Sequence, residues 1–416
     1  MDLHDHLFRH EAGRMTASLT RLFGVHNLAL AEDVVQDAFC RAMEVWKIRG
    51  IPPNPSAWLM TTARNRALDL IRRERTARTF APELTRLLET EWTAAAVVDE
   101  AFTTQVALDE QLRMMFSCCH PDLAEDAQIA LVLNILCGFG APEIAAAFLT
   151  GRAAIEKRIS RGKKVLAACR TLFDLADADF VPRLSAVHRA VYLLFSEGYH
   201  GASVEGAVRV ELCDEAMRLA ALLREHPATA TPATWALSAL MALHAARLPS
   251  RLDPAGELHA LLDQDRSAWD HALIAEGRAL LEQSARGDEL TAYHLEAAIA
   301  AVHADSRSLE DTDWDAIIAI YDRLLALAPS PVVALNRAIA VAQRDGADRG
   351  IAELEGIADR ERLDAYPFYP AALGELESRR GNMARAGEQF RAAVRLARNE
   401  PERRFLEKRV RSCEDR

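Results

Sequence analysis

The sequence is poor in residues that break helices, and it contains no long apolar run. Among 416 residues there are 19 glycines and 16 prolines, and 6% of the chain is aromatic although half is hydrophobic. A chain this rich in alanine and leucine favours helices and excludes β-sandwiches, barrels and collagen. Because no stretch of 18 apolar residues occurs, we expect no membrane-spanning helix. The first residues also lack the basic start and apolar core of a signal peptide.

Cysteine is scarce, and the usual metal and nucleotide motifs are missing. The seven cysteines include no C-x-x-C pair, which is typical of reduced thiols in a cytoplasmic protein. The run Cys118-Cys119-His120 allows two interpretations, a metal or thiol site and a pair of small buried side chains, and the second is favoured. H-E-x-x-H, P-loop and G-x-G-x-x-G motifs are absent. The sequence therefore predicts no enzymatic activity, no metal and no cofactor.

Acidic residues outnumber basic ones overall, but the excess is confined to one part of the chain. The net charge is −11, yet residues 1–170 contain 21 basic and 21 acidic residues, which leaves 29 and 40 for the remainder. Within the neutral part, basic residues cluster at 64–78 and at 152–170. Two compact basic patches on a neutral background favour nucleic-acid binding.

Residues 1–78 are predicted to form a first helical domain. The segment 28–46 has an apolar stripe with polar residues opposite, which indicates an amphipathic helix. The segment Ile48–Ser56 holds three prolines and a glycine and must be a loop. Ser56 is a candidate N-cap for a long helix that ends among arginines.

Residues 79–106 contain five acidic residues and one arginine and are predicted to be a linker. Residues 107–172 are predicted to form a second domain. In it, short helices at 141–148 and 152–169 flank a turn that contains Gly151, the pattern of a helix-turn-helix. We expect the apolar face of the second helix to pack on 141–148; its members are Ile155, Ile159, Gly162 and Leu166.

The opposite face of that second helix is basic and is predicted to enter the major groove of duplex DNA. Lysines in such a position neutralise phosphates, while arginine and glutamate can contact base edges. The predicted DNA-binding residues are Arg152, Glu156, Lys157, Ser160, Arg161 and Lys164.

Residues 180–416 are predicted to be helical throughout. A frame of 34 residues around Phe390 places small and large side chains as in a tetratricopeptide repeat, and the pattern predicts repeats toward the end of the chain. The matching positions are Leu373, Gly374, Ala386, Phe390 and Ala393. Together the three segments predict an all-α protein with two small domains followed by a large helical one.

Two motifs give the first domain a specific likeness. The sequence Glu32-Asp33-Val34-Val35-Gln36-Asp37-Ala38-Phe39 is followed by Ala57-Trp58-Leu59 and by Ala63-Arg64-Asn65 with Asp69, Arg72 and Arg73. This pattern resembles the −10 promoter-binding domain of a bacterial sigma-70 family sigma factor, and the helix-turn-helix resembles the −35 domain. Only a linker separates the −10-like domain from the −35-like domain, and this arrangement resembles the extracytoplasmic-function (ECF) class of sigma factors. The extension resembles that of the subgroup with a tetratricopeptide (TPR)-like C-terminal domain.

The resemblance implies roles for individual residues. Asp33, Gln36 and Asp37 match the polar face that binds core RNA polymerase. A second set matches positions near the melted −10 element and is implied to bind promoter DNA: Arg64, Asn65, Arg66, Arg72 and Arg73. Trp58 matches a residue that contacts DNA, although its helical phase favours packing in the core.

What controls the chain is left open by the sequence. The acidic extension is expected to modulate activity in cis, either by masking the basic surfaces or by holding the two small domains in place, and to bind a protein or peptide partner. The turn Leu149-Thr150-Gly151-Arg152 differs from the common family sequence, so no −35 base preference can be transferred. Two alternatives to a sigma factor remain: a helix-turn-helix regulator that does not join polymerase, and a repeat scaffold.

Overall fold

The computed structural model describes residues 3–23, 27–73, 104–147, 150–168, 177–200, 208–252 and 258–414. Within these ranges the protein is all-α, as predicted: helices follow one another and no β-strand is present. None of the helices in the described ranges combines the length and the apolar character needed to cross a bilayer.

The helices of the first half are the following, in chain order: α1 (Leu3–Phe23), α2 (Leu28–Arg49), α3 (Pro55–Arg73), α4 (Thr104–Cys118), α5 (Glu125–Leu131), a π-helical turn (Val132–Leu136), α6 (Ala141–Ala147), α7 (Arg152–Ala168), α8 (Leu184–His200) and α9 (Val210–Glu225). Those of the second half are α10 (Pro232–Ala245), α11 (His271–Ser284), α12 (Ala292–Asp305), α13 (Trp314–Leu327), α14 (Pro331–Asp345), α15 (Ala347–Glu355), α16 (Phe368–Arg379), α17 (Met383–Leu396) and α18 (Glu400–Glu414).

The chain divides into two compact units. The first comprises Met1–Leu194 with Glu225–Thr229, and the second comprises Phe195–Arg224 with Ala230–Arg416. In the first unit, α1, α2 and α3 enclose a core in which Phe23, Trp46 and Leu59 are buried. Burying aromatic and aliphatic side chains of this size stabilises the bundle by about 1.5–3 kcal/mol each.

Helix α1 also packs against α4 and against the π-helical turn. The approach is close, since a Cβ atom added to Gly13 would lie 2.3 Å from the carbonyl oxygen of Leu136. Only glycine permits this contact between α1 and the backbone. The first unit is therefore a single packed body in which α1 contacts helices that follow residue 104.

The loop between α2 and α3 is shorter than the sequence indicated. Helix α2 continues to Arg49, and α3 already begins at Pro55, so the loop is 50–54 rather than Ile48–Ser56. The predicted N-cap was also wrong. The side chain of Asn54, not that of Ser56, accepts a hydrogen bond from the amide of Ala57 at 3.0 Å. Proline at the first helical position, directly after an asparagine cap, explains this register.

In the second unit each helix from α12 onward packs against the helix that follows it, through to α18. Two of the positions in the 34-residue frame approach each other closely: a Cβ on Gly374 would lie 3.0 Å from the ring of Phe390. Ala386, Phe390 and Ala393 are buried on α17. Each of these helices therefore buries part of its surface against its neighbours in the sequence.

Several predicted features fall outside the described residues. These are residues 74–78 of the first basic cluster and residues 79–103 of the predicted linker, together with Phe148, Leu149 and Cys169. Helix α4 begins at Thr104, inside the segment predicted to be linker.

Candidate nucleic-acid and polymerase interfaces

The predicted recognition helix is α7, and its two faces are cleanly separated. The four apolar residues predicted to face inward are buried, so this part of the prediction is confirmed. Their packing partner is broader than expected, because α7 contacts both α5 and α6. A Cβ on Gly162 would lie 2.7 Å from Leu131 Cδ1 on α5, so the glycine permits close approach to that helix.

The start of α7 is set by backbone hydrogen bonds from the preceding turn. The carbonyl of Gly151 accepts from the amides of Ala154 and Ile155 at 3.0 and 3.3 Å, and the amide of Thr150 donates to Ala145 at 2.9 Å. These bonds fix α7 relative to α6. The first turn of α7, with Arg152 and Glu156, consequently projects into solvent.

All six residues predicted to bind DNA on α7 are exposed. Arg152 Nε lies 2.7 Å from Glu156 Oε1, so these two side chains neutralise each other in the isolated chain. Within the described ranges, Lys157, Arg161 and Lys164 form no ion pair. These three exposed cations are spaced along one helix face, an arrangement suited to phosphate contacts.

Two other cations of α7 are engaged. Lys163 Nζ lies 2.6 Å from Glu32 Oε1 on α2, and Arg158 lies 3.6 Å from Asp126 on α5. The first pair joins residues that are far apart in the sequence. The periodicity of a helix shows which of its faces is apolar but not which distant residue it contacts. The ion pair between Lys163 and Glu32 was therefore not predicted from the sequence.

The predicted polymerase-binding residues lie together on the exposed face of α2. Asp33, Gln36 and Asp37 are all exposed, while Val34, Val35 and Ala38 are buried beneath them. Asp37 Oδ2 accepts a hydrogen bond from Arg66 Nε at 3.0 Å, which links α2 to α3. Asp33 has no such partner in the described part of the chain.

The residues implied to bind the −10 element lie on α3. Asn65 is exposed, and its Oδ1 accepts from Arg64 Nη1 at 3.2 Å. Arg66 bridges to Asp37 as described above, so its guanidinium is shared between the two surfaces. Arg72 and Arg73 belong to the last turn of α3, and the structure describes their backbone but not their side chains.

Trp58 is a core residue more than a surface one. It is half-buried, and its ring meets the ring of buried Trp46 edge-on with centroids 5.4 Å apart. The preference for a packing role, drawn from its helical phase, agrees with this contact. Such aromatic pairs add about 0.5–1.5 kcal/mol beyond simple burial.

The adjacent cysteines at the end of α4 are buried in the first unit. Burial raises the pKa of Cys119 to about 12 and raises the pKa of Cys118 well above its ordinary value. Both side chains are thiols, not thiolates, at neutral pH, so they behave as small hydrophobic groups.

Comparison with known proteins adds three likenesses. Residues 7–77 match the family model described as Sigma-70 region 2, a span that holds every residue assigned above to α2 and α3. Residues 183–285 match a family of unknown function, DUF6596. Over 393 residues the chain is 39% identical to Uncharacterized protein R00370 of Rhizobium meliloti (strain 1021), covering 94% of this chain and 90% of that protein.

Proposed function

We propose that the chain, whose residues 7–77 match Sigma-70 region 2, is an alternative sigma factor of the extracytoplasmic-function type. It joins core RNA polymerase, brings it to promoter DNA and supports melting of the −10 element. The observation that carries the proposal is the pairing of α2 and α3 inside the region 2 match. One helix exposes an acidic face and the next exposes Asn65 among arginines.

The role of α7 in reading the −35 element is supported by its separated faces. Lys157, Arg161 and Lys164 are exposed cations without ion-pair partners in the described ranges, and the first turn is free to approach base edges. On this proposal residues 107–172 are the second DNA-binding domain, and the first unit contains both DNA-binding helices.

The C-terminal helices are proposed to modulate activity in cis. They follow a basic helix directly and hold the whole negative excess of the chain. The packing of each helix on the next from α12 onward supports a TPR-like stack that offers a surface to a protein or peptide partner.

The alternative function is a helix-turn-helix regulator that binds operators without joining polymerase. It keeps the role of α7 and gives none to the acidic face of α2. The two proposals differ in one measurable property, association with core RNA polymerase.

The test is co-elution of the purified full chain with core polymerase on a size-exclusion column. A sigma factor co-elutes in a one-to-one complex. A regulator elutes alone while still shifting DNA fragments in a gel, and that result would replace the proposed function with the alternative.

A further inference from the structure

Three arginines lie close together in the second unit and form no ion pair within the described residues. They are Arg247 and Arg251, which follow α10, and Arg266, which precedes α11. Arg247 is more than nine-tenths buried. Buried charges in proteins are normally paired, because removing a cation from water is costly.

The hydrogen bonds of Arg247 and Arg251 go to uncharged acceptors. Arg247 Nε donates to Gln264 Oε1 at 3.2 Å. Arg251 Nε donates to the carbonyl of Tyr199 at 2.9 Å, and its Nη2 lies 3.3 Å from His200 Nδ1. These bonds orient the guanidinium groups and leave their positive charge uncompensated.

Arg266 is held in the same way. Its Nη1 donates to the carbonyls of His303 and Ser306 at 3.1 and 3.0 Å, and its Nη2 donates to Thr312 Oγ1 at 3.1 Å. All three acceptors are neutral. The guanidinium is therefore held in place by neutral acceptors, while Glu310 and Asp311 act on its charge electrostatically without forming an ion pair with it.

Two aromatic rings bring the arginines together. The guanidinium of Arg247 lies 5.9 Å from the ring of Tyr199 and 5.5 Å from the ring of Trp269. Arg251 lies 4.1 Å above the Tyr199 ring, and Arg266 lies 5.5 Å from the Trp269 ring. Arg247 therefore lies near both rings, and each ring also contacts one of the other two arginines.

The same region holds buried polar atoms with no hydrogen-bond partner. They are Tyr199 Oη, Trp269 Nε1 and His303 Nδ1, and all three side chains are more than nine-tenths buried. A buried indole N–H normally finds an acceptor. An oxyanion would supply acceptors for the hydroxyl and the indole together.

The electrostatics of the nearby histidines agree with this geometry. The pKa of His244 is lowered to about 3 by burial, by the charges of Arg247 and Arg251 and by His303. The pKa of His303 is lowered to about 3 by burial and by Arg247 and Arg266. Both imidazoles are therefore neutral at physiological pH, and the positive potential comes from the arginines alone.

We propose that Arg247, Arg251 and Arg266, with Tyr199 and Trp269, form a binding site for a small oxyanion, a phosphate or carboxylate group of a soluble ligand. Guanidinium groups match both groups in a bidentate geometry. Arg251 and Arg266 keep part of their surface in solvent, which gives a small solute access. This proposal concerns binding only and stands whether or not the chain is a sigma factor.

The site explains a sequence motif that the two DNA-binding domains leave unused. Gln264 and Trp269 belong to the run Gln264-Asp265-Arg266-Ser267-Ala268-Trp269, in which Asp265 accepts from the amide of Ser267 at 2.9 Å. Within this capped turn Gln264 and Trp269 are buried, and both contact Arg247.

The test is isothermal titration of the full chain with inorganic phosphate and, separately, with malonate, at constant ionic strength in chloride. We expect saturable binding of one equivalent of at least one of them. The stronger of the two identifies the ligand as a phosphate or a carboxylate compound. If binding of neither anion saturates, the proposal is wrong, and the arginines serve only to pack against the aromatic rings.

Two variants and a control locate the binding. Arg251→Gln should weaken binding about tenfold or more, since it removes a charge-assisted hydrogen bond. Trp269→Phe keeps a ring and removes the indole donor, and should also weaken binding. Arg349→Gln changes an exposed arginine that pairs with Glu353 at 2.7 Å and should bind as the unmodified chain does. Undiminished binding by a folded Arg251→Gln or Trp269→Phe chain would overturn the proposal.

Discussion

Lys163 of α7 and Glu32 of α2 form an ion pair in which Nζ lies 2.6 Å from Oε1. Both side chains are about one-third exposed, at 28% and 32%. The helix proposed to bind the −35 element is thus tied to the helix proposed to bind polymerase. Lys163 is occupied in this state, and binding of its ammonium group to a phosphate requires that the pair separate.

Breaking this pair should strengthen binding to duplex DNA. Glu32→Gln keeps the size of the side chain and releases Lys163 to contact a phosphate. We expect affinity for duplex DNA to rise roughly a few-fold and the salt dependence to steepen by about 0.9 in log–log slope, the value of one released counterion. Fluorescence anisotropy over a series of salt concentrations measures both quantities.

Glu44→Gln is the matched control for that experiment. Glu44 lies on the same helix, is exposed and pairs with no cation in the described ranges, so its loss changes the net charge equally without releasing a lysine. An identical gain for the two variants would mean that the ion pair does not restrain Lys163.

Lys157 is proposed to contact a phosphate without reading sequence. Lys157→Ala should weaken binding to all duplexes alike and reduce the salt slope by about one unit. Arg404→Ala, an exposed arginine on α18, is the control and should leave both unchanged. A loss confined to one DNA sequence would instead assign Lys157 to base recognition.

Asp33 is the cleanest probe of polymerase docking, because Asp37 also holds Arg66. Asp33→Lys reverses an exposed charge with no ion-pair partner in the described ranges, and the fold should be unaffected. We expect the dissociation constant for core polymerase to rise about tenfold or more, since the variant reverses the charge of a residue proposed to lie in the interface. Glu282→Lys, an equal change at an exposed site on α11, should bind normally. If Asp33→Lys binds as tightly as the control, the interface lies elsewhere.

The buried histidines predict acid sensitivity. The pKa of His303 in the folded chain is about 3, whereas an unfolded histidine titrates near pH 6.5. The unfolded state binds more protons than the folded state between these two pH values. The contribution of His303 to the free energy of unfolding is therefore fully present above about pH 6.5 and is lost as the pH decreases toward 3. Each such histidine contributes up to about 1.4 kcal/mol per pH unit in that range.

His303→Gln should reduce the loss of stability between pH 7.5 and 5.5. Urea unfolding at the two pH values measures the difference. His271→Gln replaces an exposed histidine and should keep the full loss. Equal pH dependence for the two variants would contradict the role given to His303.

The helical class and the helix faces could be read from the sequence. The stripe on α2 and the buried set Ile155, Ile159, Gly162 and Leu166 follow from a period of 3.6 residues, and the structure has both. The helix ends could not be read in this way, since Asn54 and Ser56 are both good caps and only the register of Pro55 decides between them.

Contacts between distant segments could not be read in this way. The pairs Glu32 with Lys163 and Arg66 with Asp37 depend on how the helices pack, which local periodicity does not encode. The convergence of Arg247, Arg251 and Arg266 is of the same kind. Tyr199, Arg247 and the run from Gln264 to Trp269 come together only through folding.

The proposal that the chain is a sigma factor is tested most directly by transcription in vitro. Core RNA polymerase is incubated with the full chain and a library of genomic fragments, and the 5′ ends of the transcripts are mapped. We predict transcripts that begin at defined positions and that depend on the chain, and their loss with Asp33→Lys. Transcripts that are unchanged by a folded, DNA-binding chain would contradict the assignment.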